Sequence, residues 1–279
     1  MKKTFKLLAL LLAMAMAMFA LTACGGGKEE PVEPEEPEQV ETPTDPTADT
    51  AKPGEGLHYV IYSDNAFAPF EFYDETEQTY IGVDMDLLAA IAEDQGFTYD
   101  MMNEGFDAAM GAVQSGQADA MIAGMTIKPE RLETFDFSDG YFEDGQIMVV
   151  AEGSDIASLD DLQDKKAAAK IGTASTDYVN SIKDEYNLTV QNMEDSPTMY
   201  NTVISGNADV CFEDRSVVEW AILEGGLALK TVGEVIAPSE YGFAVKKGEN
   251  AELIAMFNDG LANIKASGQY DEILAKYGY

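Results

Sequence analysis

The stretch SGQADAMIAG (115–124) returns ninety residues later as SGNADVCFED (205–214). Each copy follows residues with helical apolar spacing, puts a glycine where helices stop, and runs on into short apolar sequence that reads as a buried strand. A helix, a tight turn and a buried strand used twice restrict the chain to parallel-rich sheets covered by helices, with one such unit in each. The flanking periodicity agrees. LHYVIYSD (57–64) reads as a strand. Asp84 can cap a helix on which Leu87, Leu88, Ile91 and Ala92 share a face, and Gly96 stops it. A strand at 97–102, a helix at 106–115 and a strand at 119–123 follow. After QIMVVAE (146–152) the order resumes with the AAAKIG strand, a helix from Ser175, the LTVQN strand, a helix at 197–205, the ADVCF strand and a helix at 215–224. The predicted class is α/β.

The two copies end differently, on Gly124 and on Asp214. Open parallel sheets bind ligands beyond the carboxyl ends of their strands. A glycine there lets a ligand approach the backbone, and an aspartate offers it a charge, so one pocket between two sheets would meet both.

Residues 1–23 stand apart. Lys2, Lys3 and Lys6 precede an uncharged apolar run from Leu7 to Leu21, which is signal-peptide length rather than the roughly 20 residues of a membrane span. The run closes on LTAC, which resembles the lipobox of bacterial lipoproteins and implies lipidation of Cys24 and a chain anchored to the outer face of the cell membrane. Residues 24–56 carry Pro, Glu and Thr with almost no large apolar side chains, and read as a disordered acidic stalk reaching about 30–100 Å. With Cys24 lipidated, Cys211 is the single remaining thiol, so no intramolecular disulfide is available to an exported protein. The formal net charge of −34 disfavours nucleic acid and anionic lipid as partners.

SDNAFAPFEF (63–72), GVDMDLLAAIAEDQG (82–96), QSGQADAMIAGMTIKPERLETFDFSDGYF (114–142), KIGTASTDYV (170–179), SGNADVCFED (205–214) and YGFAVKKG (241–248) resemble, in order, the polar amino-acid substrate-binding proteins of ABC importers. The resemblance spans essentially all of 57–279. It implies a monomer with the two-lobed type II periplasmic-binding fold: two parallel-rich sheets joined by two hinge strands. Lobe 1 is then 57–140 with 242–279, the hinge segments are 141–145 and 237–241, and lobe 2 is 146–236. The implied partners are a free polar L-amino acid and a membrane permease.

An α-amino acid presents a carboxylate and an ammonium on one carbon, and burying both requires a partner for each. Arg131, at an expected helix start after Pro129, has a fork that matches a carboxylate. The resemblance adds the backbone groups of Gly124 and Thr126 with the Thr126 hydroxyl, and assigns Asp214 to the ammonium; Asp214 also suits a helix N-cap. From lobe 2, GTAST precedes a helix, which makes Thr173 and Ala174 candidate anion donors. Phe67 and Phe106 match the aromatic pair that flanks the ligand side chain in this family. Asp64 ends the first strand and can reach the distal end of a ligand. Lys170 resembles the glutamine-binding members; Glu213 departs from them, and with Asp64 it could favour arginine or lysine instead. Glutamine is the favoured ligand.

No cofactor or metal is expected. His58 is the only histidine and has no partners for a metal or nucleophile cluster, Asp84–Asp86 lacks the downstream ligands of a calcium loop, and no phosphate loop is present. Two other classes share the fold. An exported cyclohexadienyl-type dehydratase would need a buried general acid, for which Glu213 is the one candidate; a receptor's sensory module would need a membrane helix and a signalling domain after residue 279. Neither is favoured, and the chain is read as a binding protein rather than an enzyme.

Overall fold

The computed structural model describes residues 51–279. The expected signal peptide, Cys24 and most of the expected stalk therefore lie outside the described residues. In chain order the first part builds β1 (His58–Ser63), β2 (Ala66–Phe67), β3 (Glu71–Asp74), β4 (Thr79–Ile81), α1 (Val83–Gln95), β5 (Thr98–Asn103), α2 (Phe106–Ser115), β6 (Ala120–Met121) and β7 (Phe135–Phe137). The second part builds β8 (Phe142–Ala151), β9 (Lys166–Lys170), α3 (Ala174–Ile182), β10 (Thr189–Met193), α4 (Ser196–Ile204), β11 (Val210–Asp214), α5 (Arg215–Leu223) and β12 (Leu229–Tyr241). The chain then returns through β13 (Ala244–Lys246), α6 (Ala251–Ser267) and α7 (Gln269–Lys276).

Two five-stranded sheets result, ordered β5-β1-β6-β13-β7 and β10-β9-β11-β8-β12, with a small β2-β3-β4 ribbon beside the first. In each sheet the first three strands pair in parallel and the remaining pairings are antiparallel. Successive side chains leave a strand on opposite faces. Ile61 and Ala120 accordingly pack with Leu87, Leu88 and Ile91 of α1, while Tyr62 and Met121 pack with Ala109 and Val113 of α2. Lobe 2 repeats the arrangement, with Ala168 and Cys211 facing α4 and α5 and Ala167 and Val210 facing α3. Covered on both faces, the strands read as continuous apolar runs.

The repeated sequence has a physical reason. Gly116 and Gly206 take the left-handed conformation, φ 77° and 72°, that ends α2 and α4. The next two N–H groups fold back, from Gln117 and Ala118 to the Ala112 carbonyl and from Asn207 and Ala208 to the Thr202 carbonyl. Each aspartate then clamps the neighbouring parallel strand. Asp119 N–H donates to Val60 O and its Oδ2 accepts from Val60 N–H, both at 2.8 Å; Asp209 does the same to Lys166, again at 2.8 Å.

Three expectations need correction. Residues 52–56 pack on lobe 1 rather than belonging to a stalk: Lys52 Nζ donates to Glu93 O at 2.6 Å and Gly54 N–H to Gln95 O at 2.8 Å, so a turn at 52–57 docks on the end of α1. Gly82 occupies the α1 N-cap and Asp84 lies inside the helix, fully buried and bonded elsewhere. Arg131 opens only a single 3₁₀ turn, Arg131–Glu133. The two crossovers between sheets run side by side, because β8 and β12 pair at Phe142↔Tyr241, Glu143↔Glu240 and Asp144↔Ser239. Among the described residues, no helix is long and apolar enough to cross a membrane.

Candidate functional site

The strand ends of both sheets converge on a narrow cavity with about 280 Å³ of empty space. Among the described residues three larger clefts exist, of about 1720 Å³ behind the crossovers, about 880 Å³ beside Trp220 and about 770 Å³ beside Leu159, but none is lined by Arg131, Lys170 or Asp214. The small cavity matters because buried charge gathers there.

From lobe 1 it is lined by Phe67, Phe106, Gly124, Thr126 and Arg131, and from lobe 2 by Lys170, Thr173, Ala174 and Asp214. Asp64 sits one layer behind, paired with Lys170. Ala123 and Glu213 complete the wall.

Arg131 is only 5% exposed. Its Nη1 donates to Thr126 O at 2.7 Å, its Nη2 reaches across to Gly172 O at 3.1 Å, and its guanidinium lies 5.2 Å from the Phe106 ring centre. It forms no ion pair among the described residues. Burial lowers its pKa to about 10, against the opposing pull of Asp214, Asp177 and Glu130.

Asp214 ends β11, 7% exposed, and likewise forms no ion pair among the described residues. Its oxygens accept from Gln146 Nε2 at 3.1 Å and Tyr241 OH at 2.6 Å. Burial, then the neighbouring Glu213 and Asp144 carboxylates, raise its pKa to about 7. Asp214 occupies the N-cap position of α5 but its side chain caps nothing. Asp144 performs that task from β8 instead, accepting from the Ser216 N–H at 3.2 Å and from the Ser216 hydroxyl.

Lys170 and Asp64 form a buried ion pair across the lobes, and Lys170 Nζ also lies 4.7 Å from the Phe67 ring centre. Burial pulls the Lys170 pKa down, but Asp64, Glu213 and Glu71 outweigh it and the value rises. Both aromatic rings thus carry a cation on one face. Glu213 accepts from Ser196 Oγ at 2.7 Å and Tyr200 OH at 3.1 Å, and burial raises its pKa although Lys170 and these donors oppose the shift.

Backbone groups need two corrections. Gly124 N–H does not face the cavity, because it donates to Asp84 Oδ2 at 2.8 Å. The Thr173 hydroxyl caps α3, accepting from Thr176 N–H at 3.2 Å, and its own N–H leans on Lys170 O at 3.4 Å. Ala174, as the first residue of α3, keeps an N–H that no carbonyl of its helix can reach.

Gly124 has φ 51°, and a Cβ there would come within 2.5 Å of Phe67 Cε1. Gly124→Ala is therefore expected to cost about 1–2 kcal/mol in backbone strain and to push the Phe67 ring into the cavity. Denaturant unfolding and calorimetric titration should show both effects; unchanged affinity would remove Gly124 from the site.

The lobes meet across the cavity. Besides Lys170–Asp64 and Arg131–Gly172, Lys128 pairs with Asp177, and Phe72 of the ribbon lies 5.3 Å from Trp220 of α5. Two similar sheets, a paired crossover and a closed cavity holding unmatched charges of both signs define a two-lobed binding protein of the type II periplasmic-binding class. The chain belongs to the bacterial extracellular solute-binding proteins, family 3, whose profile matches residues 59–279.

A probable histidine-binding protein of Neisseria gonorrhoeae is 31% identical over 270 residues, 95% of this chain and 93% of that protein. An ancestral arginine-binding protein bound to arginine is 35% identical with a TM-score of 0.74, covering 80% of this chain and 98% of that one; bound to glutamine it scores 0.73, at 35% identity over 79% and 97%. Substrate binding domain 2 of Lactococcus lactis GlnP in open conformation is 42% identical over 81% of this chain and 97% of its own, yet scores 0.58. The better overlap with the ligand-bound structures agrees with the contacts across the cavity.

Proposed function

We propose that this chain captures one polar L-amino acid between its lobes and delivers it to the membrane permease of an ABC importer, without changing it chemically. The observation that carries this reading is the pair formed by Arg131 and Asp214: two buried opposite charges on one cavity, neither with a counter-ion among the described residues. A zwitterion would supply both counter-ions at once, its carboxylate to the Arg131 fork and the Ala174 N–H and its ammonium to Asp214. Because these groups come from different lobes, the ligand favours the closed arrangement by contacts that only closure makes.

Charge matching favours glutamine. Lys170 is already neutralised by Asp64, and Glu213 is engaged by the Ser196 and Tyr200 hydroxyls and the Asp214 N–H. With the α-carboxylate and α-ammonium matched, a neutral polar side chain leaves the cavity balanced. Arginine or lysine is the second reading, and it rests on Glu213 retaining its charge. The same engagement of Glu213 argues against a dehydratase, which would need that acid free to face the ligand.

A thermal-shift screen against the twenty amino acids tests the proposal: a ligand at 100 times its dissociation constant should stabilise the protein by about 2.7 kcal/mol. No shift with any amino acid would overturn it. Lys170→Ala leaves Asp64 buried and unpaired, so it should weaken glutamine and draw a cationic side chain instead; tighter binding of arginine than of glutamine by the wild type would reverse the ranking. We further propose that Cys24 carries a lipid anchor on the outer face of the cell membrane. Cys24→Ser should then leave binding intact and shift the protein from the membrane to the soluble fraction.

A further inference from the structure

Beneath the cavity lie two acids that the ligand does not need. Glu71 on β3 and Asp84 on α1 are both fully buried, and the backbone brings them together, since Asp84 N–H donates to the carbonyl of Phe70, the residue before Glu71, at 3.0 Å. Asp84 Oδ2 accepts from Gly124 N–H and from Tyr141 OH, each at 2.8 Å. Asp84 Oδ1 and both Glu71 oxygens receive no donor from the described residues. As two carboxylates, these groups would oppose each other with three bare acceptors in a dry interior, an arrangement far costlier than a neutral acid beside one anion.

We propose that Glu71 and Asp84 share one proton, carried on Glu71 and donated to Asp84 Oδ1, and that this acid pair is the positioning element that sets Gly124 and Tyr141 for the ligand. One proton then joins three parts of the site: the ribbon that carries Phe67, the Gly124 turn on the cavity wall, and the crossover at Tyr141. Its bearing on ligand binding rests on the function proposed above. The other charged groups facing Glu71 are Asp64, beyond β1, and Lys170, from the opposite lobe. Burial, with Asp84 and Asp64 adding to it and Lys170 opposing, holds Glu71 well above the usual carboxylate range. Burial also lifts Asp84 to about 6, while the Gly124, Tyr141 and Glu71 donors pull it down and mark it as the anion of the pair. A folded-state value above the unfolded one means that this stabilisation is complete below the ordinary glutamate value and is lost as pH rises through the folded value.

The test compares the full chain with Glu71→Gln, whose amide N–H replaces the shared proton, and with Glu71→Leu, which offers no donor. Without ligand, infrared spectra at pH 7 should show a buried protonated carboxyl that Glu71→Gln lacks. Urea midpoints from pH 5 to 9 should fall more with pH in the wild type than in Glu71→Gln. With L-glutamine and L-arginine as probes, Glu71→Leu should weaken binding about tenfold, and Glu71→Gln should recover most of the loss. No protonated carboxyl, or equal pH slopes, would overturn the shared proton; unaltered binding in Glu71→Leu would overturn the positioning role. A wild type that binds neither probe would count against the proposed function, and the infrared and urea measurements would still decide the shared proton.

Discussion

Asp214→Ala is expected to lose about 2–5 kcal/mol of affinity in calorimetric titration, roughly 30-fold to several thousand-fold, because the ligand's ammonium would be buried without a partner. Ligand-free stability should change little. The substitution strands Gln146 Nε2, while Tyr241 OH keeps Asp144 Oδ2 at 3.2 Å as an acceptor, and it also removes a charge that Glu213 and Asp144 crowd. No N-cap bond is lost, since Asp144 supplies the one to Ser216. Small-angle scattering should show that amino acid no longer compacts the variant. Normal affinity with normal compaction would remove Asp214 from the site and leave the repeated stretch with a packing role alone.

Arg131→Ala should cost a similar 2–5 kcal/mol and Arg131→Lys should recover little of it, since a lysine is a point charge without the planar fork. Arg131 also donates to Gly172 O across the lobes, so its loss should favour the open form even without ligand, which Asp214→Ala should not do. Calorimetry paired with ligand-free scattering separates the two variants. Arg131→Lys with wild-type affinity would show that charge alone suffices and that the proposed bidentate contact is absent.

The sheets and the strand ends were legible because they follow from short-range rules. Gly116 and Gly206 stop helices for reasons visible in any sequence, and the apolar runs after them must be buried. Arg131 and Asp214 could be named from the residues a zwitterion requires together with a family resemblance, and the structure brings them to one cavity. Asp84 reads as helix-start chemistry, yet its position carries another signal: it lies three, four and seven residues before Leu87, Leu88 and Ile91, on the same buried stripe. An acid on an apolar stripe has to find buried donors, and these are Gly124 and Tyr141. Gln146, Tyr241 and Asp144 carried no such signal. They meet Asp214 only because β8 and β12 cross between lobes side by side, a long-range pairing that no local period records.

The return of the chain to lobe 1 sets an order on its synthesis. β13 pairs on one side with β6 and on the other with β7, so it completes the middle of the first sheet from a position more than a hundred residues later in the chain. The second sheet needs nothing from outside 142–241. As the polypeptide emerges N-terminus first, β1, β5 and β6 are exposed early and have to wait with an open ladder edge, while the later lobe can close as soon as its own strands are present. The half that starts first thus finishes last. An exported chain of this design has to keep its leading segment from pairing with neighbours until its trailing strand arrives, a demand on whatever escorts it that the finished fold no longer shows.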